Sequence, residues 1–124
     1  MNKSEITVAV LGASHKPERY SNRAIRLLKQ HGYRVIPVHP VQKEIEGLSV
    51  VHSIKEIDCP VNTLTVYVGP DRSSQMIDDI VSLNPERVIL NPGTESETLE
   101  TALTKNSIPF LEACTLVMLQ SGQF

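Results

Sequence analysis

Short runs of apolar, β-branched residues alternate along the chain with segments whose apolar positions recur three and four apart. Ile6-Thr7-Val8-Ala9-Val10-Leu11 is almost unbroken in apolarity and stops at Gly12, as a strand buried on both faces of a parallel sheet does. Ala24, Leu27 and Leu28 mark a helix that closes at His31-Gly32. Tyr33 to Val38 predicts the second strand, ended by His39-Pro40. Glu44 to Gly47 reads as a turn and Ser49 to Val51 as a short extended piece. Ser53 to Asp58 predicts a short helix, with Ser53 as cap and Glu56 three positions on. Thr63 to Val68 is the next strand, stopped by Gly69-Pro70.

The same alternation continues to the end. Asp71 is the expected cap of a helix with Met76, Ile77, Ile80 and Val81 inward, ended at Asn84-Pro85. Arg87 to Leu90 is a strand. Thr94-Glu95-Ser96-Glu97 reads as a capping box with Thr94 as cap, leading a helix through Leu99, Ala102 and Leu103. Ile108 to Leu111 is a last short strand, and Cys114 to Leu119 a closing helix.

Strand and helix thus repeat roughly every 25–30 residues, the pattern of βαβ units with right-handed crossovers. The expected fold is one α/β domain over residues 1–124: three α/β/α layers around a mostly parallel sheet of five or six strands. The 124 residues suit one domain, and 40% apolar content is enough for a core.

Charge and composition narrow the function. Twelve basic and fourteen acidic residues give a net charge of −2, against a dedicated nucleic-acid surface. There is no Trp, and three Tyr and two Phe are too few for a base-stacking platform. Two cysteines, Cys59 and Cys114, do not make a disulfide scaffold, so a reduced, cytoplasmic setting is expected. No apolar run approaches the ~18 residues of a membrane span. Residues 1–13 imitate a signal peptide, but Glu5 precedes the apolar run, which reads as a core strand.

In an open α/β sheet, ligands sit beyond the carboxyl ends of the strands. The segments there are Gly12-Ala13-Ser14-His15-Lys16-Pro17, His39-Pro40, Gly69-Pro70-Asp71 and Asn91-Pro92-Gly93-Thr94. The first is the strongest candidate. Gly12 permits a tight turn, the loop leads to a helix N-terminus, and Ser14, Lys16 and Arg19 supply donors for a phosphate. The alternative for Ser14 and Lys16 is an ordinary solvated loop. The segment is not the dinucleotide fingerprint, because positions 14 and 17 are Ser and Pro. His39 stands where an NAD site would carry an acid, so classical NAD binding is disfavoured and NADP stays open.

No catalytic centre is expected. The four histidines lack metal-ligand spacing, no metal site is expected, and neither cysteine lies in a C-x-x-C motif. Cys114, near the start of the closing helix, is either a reactive thiol or a buried, inert one. Asp78-Asp79 reads as a solvated helix face. The apolar stretch Leu116 to Leu119 fits either the core or a homodimer interface.

Several of these segments resemble one family. Val8 to Ser14 with Lys16-Pro17, then Gly32 to Pro40, Ile45-Glu46-Gly47, Val61 to Val68, Asn91 to Glu95 and Glu112-Ala113-Cys114 resemble the small stand-alone CoA-binding proteins. That Rossmann-like family also occurs as the CoA-binding domain of succinyl-CoA synthetase α subunits and related ligases. The resemblance covers roughly residues 5–116. It implies a CoA or acyl-CoA ligand, with Gly12, Ala13, Ser14 and Lys16 at the pyrophosphate and His39 and Pro40 at the adenosine end. Val68, Gly69 and Pro70 would form a wall, and Asn91, Pro92 and Gly93 would close the site. The family usually has Asn at position 39, Gln at 91, and Asp-Arg where Glu112-Ala113 stand here. The ligases' phosphohistidine segment has no counterpart in the resemblance, which therefore implies binding, with any acyl-transfer partner unnamed. The reading from another class is a small NADP-dependent or thiol-redox enzyme using Cys114.

Overall fold

A computed structural model describes residues 2–124. Five parallel strands form the sheet: β1 (Thr7–Leu11), β2 (Arg34–Val38), β5 (Thr63–Val66), β6 (Arg87–Leu90) and β7 (Phe110–Glu112), in the order β2-β1-β5-β6-β7. The short strands β3 (Glu44–Ile45) and β4 (Leu48–Ser49) form a separate antiparallel hairpin. All five residues of β1 are buried, which explains its unbroken apolarity: it is central and covered on both faces.

The faces are divided by strand parity. Val8 and Val10 pack with Ile25, Leu28 and Leu119 under α1 (Tyr20–Gln30) and α5 (Thr115–Gln120). Ala9 and Leu11 pack with Leu64, Val66, Ile80, Leu99 and Leu103 on the other face. That layer holds α2 (Pro70–Ser73), α3 (Ile77–Leu83) and α4 (Glu97–Lys105). Leu116, Met118 and Leu119 are buried, which places most of the apolar C-terminal stretch in the core, while Val117 is exposed.

Beyond β2, Val51 makes a single parallel bridge to Val38. It stands where the classical dinucleotide fold carries a third strand outside the second, and here that strand is reduced to one residue. Pro37 faces this bridge: its carbonyl accepts from Val51 N–H at 3.1 Å, and the proline has no N–H to offer in return.

Several local expectations are corrected. The single helix expected after Asp71 is two, α2 and α3. Gly69 is the cap of α2, and Asp71 lies in its first turn. The helix expected over Ser53 to Asp58 is a single 3₁₀ turn, Ile54–Glu56. Ser53 makes no capping hydrogen bond there, and Glu56 instead accepts from His52 N–H at 3.0 Å. The cap of α4 is Ser96, which accepts from Leu99 N–H at 3.2 Å. Thr94 is not free to cap, because its hydroxyl donates to the Asn91 carbonyl at 2.8 Å. Asp79 is only partly exposed and lies 3.9 Å from Lys55, so it is not simply a solvated face.

Candidate functional site

Because β1 has β2 on one side and β5 on the other, the chain leaves the sheet in opposite directions around it. The crevice beyond the carboxyl ends of the strands therefore opens at the β1 end, where doubly wound sheets bind their ligands.

Gly12 begins that end, with φ +86°. A Cβ there would lie 2.9 Å from Val68 Cγ1 and 3.0 Å from the Tyr67 carbonyl carbon. Glycine is thus required by conformation and by the chain after β5. The loop is long, because α1 starts only at Tyr20, and it is held from inside. Asn22, wholly buried on α1, donates to the Ser14 carbonyl at 2.9 Å and to Glu46 Oε2 at 3.1 Å. Arg26 donates to Asn22 Oδ1 at 2.9 Å and to the Pro17 carbonyl at 2.8 Å. Ser14 Oγ accepts from Lys16 N–H at 3.1 Å, and Ala13 N–H donates to the Val38 carbonyl at 3.2 Å.

These anchors hold the loop through the Ser14 and Pro17 carbonyls and the Ala13 and Lys16 N–H groups, and leave other donors free. Among the described residues, no protein acceptor takes the Ser14 or His15 N–H. Arg19, the N-cap of α1, provides no side-chain cap, so the first-turn N–H groups of the helix are also open. Lys16 is exposed beside them. Open N–H groups, a helix N-terminus and a lysine together suit an anion.

His39 sits at the end of β2. Its Nδ1 accepts from the N–H groups of Val41 and Gln42, both at 3.0 Å, so the ring proton is on Nε2. Partial burial, then the nearby positive charges of His15, Arg72 and His52, hold its pKa below the usual histidine value. A cleft of about 130 Å³ lies alongside, with an apolar floor of Leu11, Val38, Ile54 and Met76 and with His52 and Arg72 at its mouth. Ser53 and Asp79 also line it, so apolar and polar groups are both present there. A groove of about 500 Å³ at Ile57, Cys59 and Asn84 lies at the opposite ends of the strands.

Asn91 is buried and its side chain is fully engaged. Nδ2 donates to Thr65 Oγ1 at 2.7 Å and to the Val66 carbonyl at 2.9 Å, and Oδ1 accepts from Thr115 N–H at 2.9 Å. It ties β6, β5 and the start of α5 together, and its backbone is engaged as well: the N–H donates to the Val66 carbonyl at 3.4 Å and the carbonyl accepts from the Thr94 N–H at 3.0 Å. Pro92 and Gly93 are exposed next to it, and Gly93 N–H donates to Glu95 Oε1 at 2.8 Å. Val68 is buried against Gly12, whereas Gly69 and Pro70 turn the chain into α2 at the rim. Cys114 is the partly buried N-cap residue of α5.

Two further residues escaped the sequence reading. Asn22 is the anchor of the first loop, and its signal was a polar residue three positions before the inward Ile25 of α1. Tyr67 ends β5 beneath the rim, and its hydroxyl is buried with no hydrogen-bond partner. Among the described residues, no group of three or more His, Cys, Asp or Glu is placed to hold a metal ion. No helix is long and apolar enough to cross a membrane.

Fold and site together define a Rossmann-like α/β domain with an anion-ready loop after its first strand. The family described as CoA binding domain matches residues 6–120, and the chain belongs to that family. The uncharacterized protein YneT of Bacillus subtilis is 34% identical over 94 residues, covering 76% of this chain and 56% of that protein. The ADP-forming acetate–CoA ligase II subunit alpha of Pyrococcus furiosus is 33% identical over 66 residues, 52% of this chain and 14% of that subunit. The chain thus spans little more than half of the first relative and a small part of the second. A crystal structure of an uncharacterized protein superimposes with a TM-score of 0.89 at 38% identity, covering 96% of this chain and 98% of that one.

Proposed function

We propose that this protein binds coenzyme A or an acyl-CoA across its strand ends. The phosphates meet the loop Gly12-Ala13-Ser14 with Lys16 and the N-terminus of α1. The adenosine end lies toward His39, Pro40 and the adjoining cleft. Val68, Gly69 and Pro70 flank the ligand on the β5 side, with the backbone of Asn91, Pro92 and Gly93 beyond. The observation that carries this reading is the set of open N–H groups at Ser14, His15 and the uncapped start of α1, in the segment that follows Gly12. Family membership supports the choice of CoA among anionic ligands. The proposal is one of binding and assigns no reaction.

Thermal unfolding with CoA, acetyl-CoA, dephospho-CoA, NADP and NAD at matched concentrations tests it. A ligand present at about 100 times its dissociation constant adds ~2.7 kcal/mol, a clear shift for a domain of this size. Stabilisation by CoA, reduced for dephospho-CoA and absent for NAD, is the expected result. A response to NADP alone would replace the proposal with the redox reading. Lys16→Ala should weaken CoA binding, with a smaller difference at high salt.

A further inference from the structure

Glu46 and Gly47 form the two-residue turn between β3 and β4, with φ of +51° and +77°. A tight hairpin of this kind needs positive φ at both central positions, and glycine, asparagine and aspartate accept it most readily. Glutamate does not, so its backbone is strained here. The hairpin is fastened by Ile45, which is buried and packs with Ala13, Ile25 and Leu28. Lys29 of α1 donates to the Glu46 carbonyl. The turn thus holds the Glu46 side chain against α1, where Oε2 accepts from Asn22 Nδ2 at 3.1 Å.

That contact decides which way the Asn22 amide faces. A carboxylate only accepts hydrogen bonds, and a guanidinium only donates them. With Glu46 Oε2 at 3.1 Å and Arg26 Nε at 2.9 Å, the amide must turn its nitrogen to Glu46 and its oxygen to Arg26. The same nitrogen then reaches the Ser14 carbonyl at 2.9 Å. A trans peptide is planar and carries its C=O and N–H in opposite directions. Drawing the Ser14 carbonyl to Asn22 therefore turns the His15 N–H away from it. Among the described residues, no protein acceptor takes that N–H. The reversed amide would set an oxygen against the Ser14 carbonyl and release the peptide.

We propose that Glu46 is a positioning residue for the ligand's phosphates: by orienting Asn22 it holds the Ser14–His15 peptide with its N–H presented to them. This rests on the proposed CoA binding. A carboxylate this near an anion site otherwise opposes binding, because like charges repel. The charge of Glu46 and its hydrogen bond therefore act on affinity with opposite signs.

The test compares Glu46→Gly, Glu46→Asn and Glu46→Gln, with CoA dissociation constants from titration calorimetry and the His15 amide followed by NMR. Glycine and asparagine accept positive φ, so the hairpin persists, and neither reaches Asn22. Both should bind CoA about three- to tenfold more weakly than the native protein, the range of one hydrogen bond. CoA should also move the His15 amide resonance less in them. Glutamine keeps an acceptor oxygen within reach and drops the charge, so Glu46→Gln should bind CoA as tightly as the native protein or more tightly. Thermal unfolding checks that each variant is folded when titrated.

Equal or tighter CoA binding by the glycine and asparagine variants would overturn the role and leave CoA binding intact, since only the lost charge would then be felt. So would a glutamine variant as weak as they are. An unchanged His15 response in the weakened variants would overturn it too, by placing the loss elsewhere. Absence of CoA binding by the native protein would remove the underlying proposal and this one together.

Discussion

Gly12 and Val68 meet so closely that a single methyl group added at position 12 would lie 2.9 Å from Val68 Cγ1. The contact joins the loop after β1 to the chain after β5, so the floor of the candidate site is also a packing joint. Gly12→Ala should cost about 2–4 kcal/mol, combining an unfavourable positive φ with overpacking. Chemical denaturation checks this. A fully stable variant would show that the joint yields easily. Loss of ligand binding in Gly12→Val would then have to be separated from loss of folding.

Asn22→Ala removes one buried side chain and strands several groups. The Ser14 carbonyl, Glu46 Oε2 and Arg26 Nε each lose their partner. A loss of about 1–3 kcal/mol is expected. Amide hydrogen exchange should accelerate at Ala13 and Lys16, whose N–H groups are hydrogen-bonded in and beside the loop, ahead of β1 itself. Unchanged protection there would mean that Arg26 alone holds the loop.

His39 makes the turn after β2 sensitive to acid. Its folded pKa is depressed, so its contribution to stability is full above pH 6.5, the unfolded value, and is lost as pH falls through the folded one. Protonation also removes the Nδ1 acceptor of the Val41 and Gln42 N–H groups. An Asn side-chain oxygen can accept from N–H groups two or three residues on in the same way. His39→Asn should therefore keep the turn and flatten the dependence of stability between pH 6.5 and 5. Denaturation of both proteins across that range measures it, and parallel curves would refute the role.

Glu100 has the opposite sign. A hydrogen bond with Glu112 raises its pKa to about 7, helped by desolvation and by the charges of Glu112, Glu95 and Glu97. A carboxyl with a raised folded pKa binds more protons folded than unfolded, so stability falls as pH rises from about 4.5 to 7. Glu100→Gln should remove that decline and unfold later than the native protein at pH 8. Carbon-detected NMR titration of the Glu100 carboxyl gives the independent check.

Much of the fold was legible because its strands are short, buried and apolar. Arg87–Leu90 is β6 with the very bounds that its residues suggested. The helix ends were less legible, since Thr94 and Ser96 are both competent caps. The choice between them turns on the Asn91 carbonyl, three residues back, which claims the Thr94 hydroxyl. The break between α2 and α3 was hidden because the inward residues that suggested the helix, Met76, Ile77 and Ile80, all lie at or after it, and no inward aliphatic side chain marks Pro70–Ser73 as a separate turn. The four strand-end segments were readable from where the apolar runs stop. The asparagines were not readable as anchors, because Asn22 and Asn91 act through backbone groups and side chains remote in sequence. Tyr67 was passed over because, in a row of apolar residues, an aromatic ring reads as core, and its hydroxyl's lack of a partner is visible only in three dimensions.

Pro37 has a consequence at the margin of the sheet. An edge strand normally displays a ladder of unused N–H and C=O groups, on which another chain can build. On β2 the proline removes one donor, Val51 occupies the adjacent acceptor, and the bridge at Val38 covers the carboxyl end of the strand. The opposite edge, β7, is only three residues long. A parallel sheet of this kind is exposed to aggregation while it assembles slowly. Here neither margin offers a neighbouring molecule enough free backbone to continue the sheet.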